Sequence, residues 1–247
     1  MNTSTSQIPK KPDLSIIIPA YNEEKRILIT LESYHSAFCK SNISFELIIV
    51  LNGCRDNTLD VVNHFSQKHC GVRIYNFHEA IGKGGAILEG IKLSLGDLVC
   101  FADADGSTVA SELISLYHNM QHYDGIIASR WMKESTILKN QPLHRRFCSR
   151  LFNYFVRLVL NINFADTQCG SKVFKREAIQ SVTHKIDVRG WAFDAVLLFY
   201  FTKEGFQVKE HPITWSHHDA STLDISRTAF EVFTAIISTR LKDLMSK

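Results

Sequence analysis

The chain has 247 residues, 45% of them hydrophobic, which is enough apolar material to bury the core of one large domain. Its formal net charge of +3 is too small for a nucleic-acid-binding surface, and no basic block with interleaved aromatic residues is present, so we expect no nucleic-acid partner. Six cysteines are scattered without a CxxC pair, so the sequence suggests neither a disulfide framework nor a cysteine zinc site and predicts free thiols.

The N-terminal end is polar, and residues 1–13 are predicted to form a disordered tail before a single domain over 14–247. The first eleven residues lack the apolar centre of a signal peptide, and no segment reaches the roughly 18 uninterrupted apolar residues of a membrane span. We therefore expect a cytoplasmic protein. If it contacts lipid, it does so peripherally, on the cytoplasmic face of a membrane.

Apolar runs alternate with amphipathic stretches over the first 130 residues. Strands are predicted over Leu14 to Pro19, Phe45 to Leu51, Val72 to Phe77, Asp97 to Ala102 and Gly125 to Ser129. Helices are predicted from a cap at Asn22 to about Cys39, from Asp56 to about His69, from Gly82 to Leu95 and from Val109 to Gln121. Five alternations favour an α/β fold with a mostly parallel central sheet and helices on both faces.

Polar and charged residues stand where these strands end or where the next helix begins. They are Tyr21, Glu23, Asn52, Lys83, Asp103, Asp105 and Arg130. Each alone is compatible with a helix cap or a surface charge. Because open α/β sheets bind ligands beyond the carboxyl ends of their strands, the shared placement of these residues predicts a binding site along one edge.

The segment Asp103-Ala104-Asp105 is the most informative part of this edge. In an extended segment, residues i and i+2 share a face, so the two carboxylates can point at one position while the small Ala104 leaves room for a ligand. Two hard oxygen donors suit Mg²⁺ or Mn²⁺, which bridges protein carboxylates and substrate phosphates, so we expect a nucleotide diphosphate as the ligand. The alternative is a structural Asx turn followed by a helix cap.

Two further helices are amphipathic. In the helix from Leu143 to Ile162 the apolar series is Leu143, Phe147, Leu151, Tyr154, Leu158 and Ile162, with Arg146, Arg150 and Arg157 on an adjacent face. In the last helix, about Asp224 to Met245, the stripe is Phe230, Phe233, Ile237, Leu241 and Leu244. Such helices either lie on an anionic membrane surface or pack their apolar side against the core with solvated arginines outside. The sequence leaves both interpretations open.

Five motifs occur in an order and spacing that resemble a known family. They are Ser15-Ile-Ile-Ile-Pro-Ala-Tyr-Asn-Glu23, Asp103-Ala-Asp105, Ala128-Ser-Arg130, Asp166-Thr-Gln-Cys-Gly170 and Trp191-Ala-Phe-Asp194. Over about Leu14 to Arg227 the chain resembles the family 2 glycosyltransferases of the GT-A fold, most closely the dolichyl-phosphate glucosyltransferase and mannosyltransferase branch. The resemblance implies a metal-dependent, inverting transfer of a glucose- or mannose-type sugar from a UDP- or GDP-linked donor to a polyprenyl or dolichyl phosphate.

The resemblance also implies roles for individual residues. The nucleotide sugar would be bound by Pro19, Ala20, Tyr21, Glu23, Val50, Asn52, Lys83, Asp103 and Ala104, and the Mg²⁺ or Mn²⁺ ion by Asp103 and Asp105. The catalytic residues would be Asp105, Asp194 and Arg130, and the acceptor-binding residues Arg130, Gln168, Lys172, His218 and Ser221. An anionic phosphate acceptor needs no general base, whereas a hydroxyl acceptor does, and Asp194 matches that position; on helix statistics alone, it is an acidic residue of a first helical turn.

The sequence departs from the family pattern at three places. Asn52 stands where the family has an aspartate, Ser171 replaces the phenylalanine of Gly-Phe-Lys, and His218 and Thr222 replace the loop cations typical of the lipid-phosphate branch. Two alternatives therefore remain: a soluble glycosyltransferase acting on a hydroxyl of a glycan, protein or small molecule, and a non-catalytic nucleotide-sugar-binding domain. The intact Asp103, Asp105 and Lys83 argue against the second of these.

Overall fold

The computed structural model describes residues 11–139, 143–216 and 225–245. Within them the chain forms nine strands and eight helices. In chain order they are β1 (Leu14–Ala20), α1 (Ile27–Lys40), β2 (Phe45–Asn52), α2 (Thr58–Lys68), β3 (Val72–Phe77), α3 (Lys83–Leu93), β4 (Leu98–Phe101), α4 (Ala110–His118), β5 (Gly125–Ser129), β6 (Thr136–Lys139), α5 (Leu143–Leu160), β7 (Lys172–Lys175), α6 (Arg176–Thr183), α7 (Phe193–Lys203), β8 (Val208–Pro212), β9 (Thr214–Ser216) and α8 (Ile225–Met245). Residues 1–10 of the predicted tail lie outside the described residues.

Seven strands form the central sheet in the order β3-β2-β1-β4-β7-β5-β8. Strand β7 runs antiparallel to its two neighbours, and the other four neighbouring pairs are parallel. Strands β6 and β9 form a separate parallel pair. The predicted mostly parallel α/β sheet is confirmed.

Each face of the sheet is covered by helices because successive strand side chains point to opposite faces. On β1, Ile17 packs into a cluster with residues of α3, α5, α6, α7 and α8. Its neighbours Ile16 and Ile18 pack on the other face, where α1, α2 and α4 contribute residues such as Leu31 and Leu113. The predicted burial of both faces is therefore also confirmed.

The predicted helix starts and strand ends differ from the structure at two informative places. Helix α1 begins at Ile27, and Asn22 does not cap it: Asn22 has a left-handed φ of 54°, and its Oδ1 accepts a hydrogen bond from the Arg55 amide at 2.8 Å. Asparagine tolerates this backbone conformation better than most residues, so it serves a loop here. Strand β4 ends at Phe101, and Asp103 and Asp105 therefore lie in the following turn rather than in an extended strand.

Helices α5 and α8 present most of their predicted apolar series to solvent. The outer apolar face comprises Phe147, Leu151, Tyr154 and Leu158 on α5 and Phe230, Phe233, Leu241 and Leu244 on α8, each 44–70% exposed. The residues that these helices bury are others, including Val156 and Ile236, and Phe155 of α5 stacks on Phe233 of α8 with ring centroids 4.5 Å apart. The core-packing interpretation is therefore wrong for these eight residues. In the described part of the chain, no helix combines the length and apolarity needed to cross a membrane.

Candidate active site

The sheet brings the predicted site residues to one edge. The carboxyl ends of β1, β2, β4 and β5 lie there, and so does the start of the antiparallel β7, because Lys172 pairs in register with Phe101 and with Ile127. Loops leaving this edge carry Tyr21, Glu23, Asp103, Asp105 and Arg130, and Lys83 is the first residue of α3, which follows β3. The structure therefore confirms that these polar and charged residues lie at one edge of the sheet.

Lys83 and Asp103 form an ion pair at the centre of the edge. The Lys83 Nζ lies 2.7 Å from Asp103 Oδ1 and 5.0 Å from the centroid of the Trp191 ring. Burial would lower the pKa of Lys83, but the negative charges of Asp103 and Asp194 raise it above the usual lysine value. Burial would likewise raise the pKa of Asp103, but Lys83 holds it below the usual aspartate value. Both groups are therefore charged at neutral pH.

Gly170 is needed for the position of Asp103. A Cβ atom at Gly170 would lie 2.0 Å from Asp103 Oδ2, so any other residue here would displace this carboxylate. Asp105 accepts a hydrogen bond from the Ser107 amide through Oδ1 at 3.0 Å. Burial raises the pKa of Glu23 despite its ion pair with Arg26, and the charges of Asp105 and Asp103 raise it further, so three carboxylates share one electrostatic neighbourhood.

Arg130 and Asp166 form a second ion pair beside the first. The Arg130 Nε and Nη2 donate to the two Asp166 oxygens at 2.6 and 2.9 Å, and the Arg130 backbone amide donates to Oδ2 at 3.0 Å. Burial opposes ionisation of Asp166, but Arg130 keeps the pKa of this carboxyl below its usual range. The guanidinium also lies 5.3 Å from the Trp215 ring centroid. This bidentate geometry fixes the orientation of Arg130.

Lys172 and Asp194 form a third pair, which is closed to solvent. The Lys172 ammonium donates to Asp194 Oδ1 and to the Cys169 carbonyl oxygen, and the two side chains are 0% and 3% exposed. Asp194 occupies the first turn of α7, as predicted. In this arrangement Lys172 presents no surface to an acceptor, and the Asp194 carboxylate is already engaged by a cation.

The residues predicted to line the nucleotide pocket differ in accessibility. Tyr21 is exposed at the edge, whereas the side chains of Ala20, Val50 and Ala104 are buried, with Val50 in the core beneath the edge. The Asn52 Oδ1 accepts a hydrogen bond from the Ile81 amide at 2.6 Å, so it holds the loop before α3. Pro19 lies near the end of β1, partly buried.

The predicted acceptor residues are only partly described. The Gln168 backbone amide donates to Asp166 Oδ1 at 3.2 Å, and its side-chain Nε2 is buried with no hydrogen-bond partner in the described part of the protein. His218 and Ser221, like Thr222, lie outside the described residues. Gln168 is therefore placed beside the Arg130–Asp166 pair with an amide donor still available.

The donor set at the edge fits a divalent ion that is shared with a diphosphate. Three cations, Lys83, Arg130 and Lys172, face four carboxylates, those of Asp103, Asp105, Asp166 and Asp194. Because the cations are already paired, a diphosphate would meet little free positive charge. Among the described residues, no group of three or more His, Cys, Asp or Glu side chains is arranged to hold a metal. Mg²⁺ is commonly held by one or two carboxylates plus substrate phosphates, which is the site that Asp103 and Asp105 can offer.

Sequence reasoning missed several residues that shape the site. Asn153 and Glu210 hold the loop that contains Asp166, and Trp191 lies against Lys83. Asp166, Gly170 and Trp191 stood in motifs of the resemblance, which was the available signal for them. Asn153 and Glu210 gave no such signal, because a polar residue in an amphipathic helix or in a half-buried edge strand is ordinary.

Comparison with known proteins identifies a family and several relatives of this chain. The model of "Glycosyl transferase family 2" matches residues 15–183. The glycosyltransferase AglD of Haloferax volcanii is 29% identical over 92% of this chain, but the chain spans only 37% of that protein. The dolichyl-phosphate beta-glucosyltransferase ALG5C of Trichomonas vaginalis is 31% identical over 88% of this chain and 68% of its own length.

A solved structure shows the same fold. The glucosyl-3-phosphoglycerate synthase of Mycobacterium tuberculosis, in complex with Mn²⁺, UDP-glucose and phosphoglyceric acid, superposes with a TM-score of 0.66 at 17% identity over 93% of this chain and 80% of that one. This likeness confirms the predicted GT-A fold. The family match covers most of the chain and includes Asp103, Asp105, Arg130 and Asp166. The chain therefore belongs to glycosyl transferase family 2.

Proposed function

We propose that the protein transfers a hexose from a nucleotide diphosphate sugar to a polyprenyl phosphate, with Mg²⁺ or Mn²⁺ held by Asp103 and Asp105. One observation carries the choice of acceptor. The Asp194 carboxylate, which a hydroxyl acceptor would need as a base, is buried and paired with Lys172. A phosphate oxygen is already anionic and needs no base. The name of the Trichomonas relative, a dolichyl-phosphate beta-glucosyltransferase, supports the same acceptor class.

The chemistry follows from the charges at the edge. An acceptor phosphate oxygen attacks the anomeric carbon while the bond to the diphosphate oxygen breaks, and the configuration inverts. Negative charge grows on the leaving diphosphate, and a divalent ion held by Asp103 and Asp105 would offset this charge without proton transfer. Lys83 and Arg130 lie at the same edge, where their partners Asp103 and Asp166 largely neutralise them and hold them in place before the substrate arrives. The base of the donor, uracil or guanine, is bound beside Tyr21 and Glu23.

A test should separate acceptor classes. UDP- and GDP-linked glucose and mannose are incubated with Mn²⁺ or Mg²⁺ and either a short polyprenyl phosphate or the polyprenol of the same length. We expect transfer to the phosphate and none to the alcohol. Transfer to the alcohol or to a glycan hydroxyl would instead support the soluble alternative. Donor binding without transfer to any acceptor would support a non-catalytic domain.

We further propose that the outer apolar face contacts the membrane that holds such an acceptor. Its eight apolar residues are exposed on two helices that pack together, and Arg150 and Arg157 lie on the same helix α5. Arg150 is exposed and lies 4.8 Å from the centroid of the Trp131 ring, and Trp131 is the residue after Arg130. An amphipathic surface with basic residues is suited to an anionic lipid interface.

The membrane contact predicts salt-sensitive binding to vesicles. Purified protein should sediment with vesicles containing anionic lipid at low salt, because each arginine near such a surface contributes about 1 kcal/mol. The double variant Arg150→Gln/Arg157→Gln should bind about 30-fold more weakly. As a control, Lys92→Gln on α3, an exposed residue in a local pair with Glu89, should bind as the wild type does. If the wild-type protein stays in the supernatant at low salt, the face does not bind lipid.

A further inference from the structure

Asn153 is a buried polar residue on the inner side of α5, opposite the outer apolar face. Its Nδ2 donates to the Phe164 and Ala165 carbonyl oxygens at 3.2 and 2.8 Å. Its Oδ1 accepts from the Thr167 amide at 3.1 Å and from the Thr167 hydroxyl at 2.8 Å. An asparagine side chain offers two donors and a carbonyl oxygen with two lone pairs, so Asn153 uses its whole hydrogen-bonding capacity on this one loop.

The loop that Asn153 holds carries Asp166. The same loop is bound from the sheet side, because the Ala165 and Asp166 amides donate to the Glu210 carboxylate at 2.8 and 3.1 Å. The Asp166 side chain in turn fixes Arg130 through two hydrogen bonds to the guanidinium. A continuous series of contacts therefore runs from helix α5 through Asn153 to the Arg130 guanidinium at the edge.

We propose that Asn153 is a positioning residue for sugar transfer: its amide fixes residues 164–167 on helix α5 and so holds the Asp166 carboxylate, and with it Arg130, at the reacting edge. The kinetic part of this inference rests on the proposed function. Because the hydrogen bonds of Asn153 satisfy all of its polar atoms, they favour a single position of the 164–167 loop; without them the loop can shift. Because α5 also carries the outer apolar face, Asn153 keeps the edge at a fixed position relative to that face.

Four variants test this role by kinetics. Asn153→Ala should lower kcat about 10- to 100-fold with little change in the KM for the donor, since a small misplacement of an orienting group has this cost. Thr167→Val should have a smaller effect in the same direction, whereas Thr167→Ser, which keeps the hydroxyl, should retain wild-type kcat. Val156→Ala is the control for lost packing, because Val156 is fully buried on the same helix but has no polar side-chain atom that could hydrogen-bond to this loop. Folded Val156→Ala protein should have the kcat of the wild type.

Hydrogen exchange provides a readout that needs no substrate. In Asn153→Ala, the amides of 164–168 should exchange at least about tenfold faster than in the wild type, while those of β1 stay protected. Val156→Ala should not change the exchange at 164–168 selectively. Wild-type kcat in Asn153→Ala, or unchanged exchange at 164–168, would overturn the positioning role. If the wild type transfers sugar to no acceptor, the proposed function fails, and the exchange experiment still decides whether Asn153 fixes the loop.

Discussion

Replacing Asp105 with alanine should lower the turnover number for sugar transfer at least about 10³-fold while leaving the fold intact. Asp105 lies in the turn after β4 and is only partly buried, and its Oδ1 accepts a hydrogen bond from the Ser107 amide two residues away. Its loss therefore removes a proposed metal ligand and little packing. Turnover is measured with saturating donor and Mn²⁺, and the melting temperature checks the fold.

Asp97→Ala is the matched control for this experiment. Asp97 precedes the opposite end of the same strand, where its exposed carboxylate pairs with Lys11 at 2.7 Å. An exposed pair of this kind contributes about 0–1 kcal/mol to stability, so the variant should keep full activity. Wild-type turnover by Asp105→Ala, or undiminished turnover of the wild type in excess EDTA, would contradict metal binding by this carboxylate.

Replacing Asp194 with asparagine should destabilise the protein strongly. The change leaves the Lys172 ammonium buried without its countercharge, and breaking such a pair typically costs about 3–5 kcal/mol. The loss is measured as the free energy of unfolding in urea. In the double variant Lys172→Met/Asp194→Leu, much of the stability should return, because no isolated charge remains. Unchanged stability of Asp194→Asn would show that solvent reaches the pair.

The same variant distinguishes the two acceptor classes. With a phosphate acceptor, folded Asp194→Asn protein should keep kcat within about tenfold of the wild type, since no proton has to be removed. With a hydroxyl acceptor, loss of the base should cost about 10²–10⁴-fold. Turnover is normalised to the folded fraction at saturating donor. A collapse of kcat with unchanged donor affinity would therefore move the assignment to a hydroxyl acceptor.

The sequence alone determined the layered fold and the edge where the site lies. Alternating apolar runs and amphipathic stretches predicted the strands and their order of appearance, because a strand buried on both faces needs a continuous apolar run such as Ile16–Ile18. The rule that ligands bind at the carboxyl ends of strands then placed Lys83, Asp103 and Arg130 together. Hydrophobic periodicity and strand order are enough to predict the fold and this edge, so the prediction needs no knowledge of contacts between distant residues.

The tertiary structure decided which charges pair and which faces are buried. The pairs Lys83–Asp103, Arg130–Asp166 and Lys172–Asp194 join residues far apart in the sequence, and their spacing gives no sign of the pairing. On α5 the sequence showed the apolar series, but the opposite face, with Asn153 and Val156, is the one that is buried against the core. Helical periodicity shows that an apolar face exists; only the packing of distant segments around it determines whether that face meets protein or solvent.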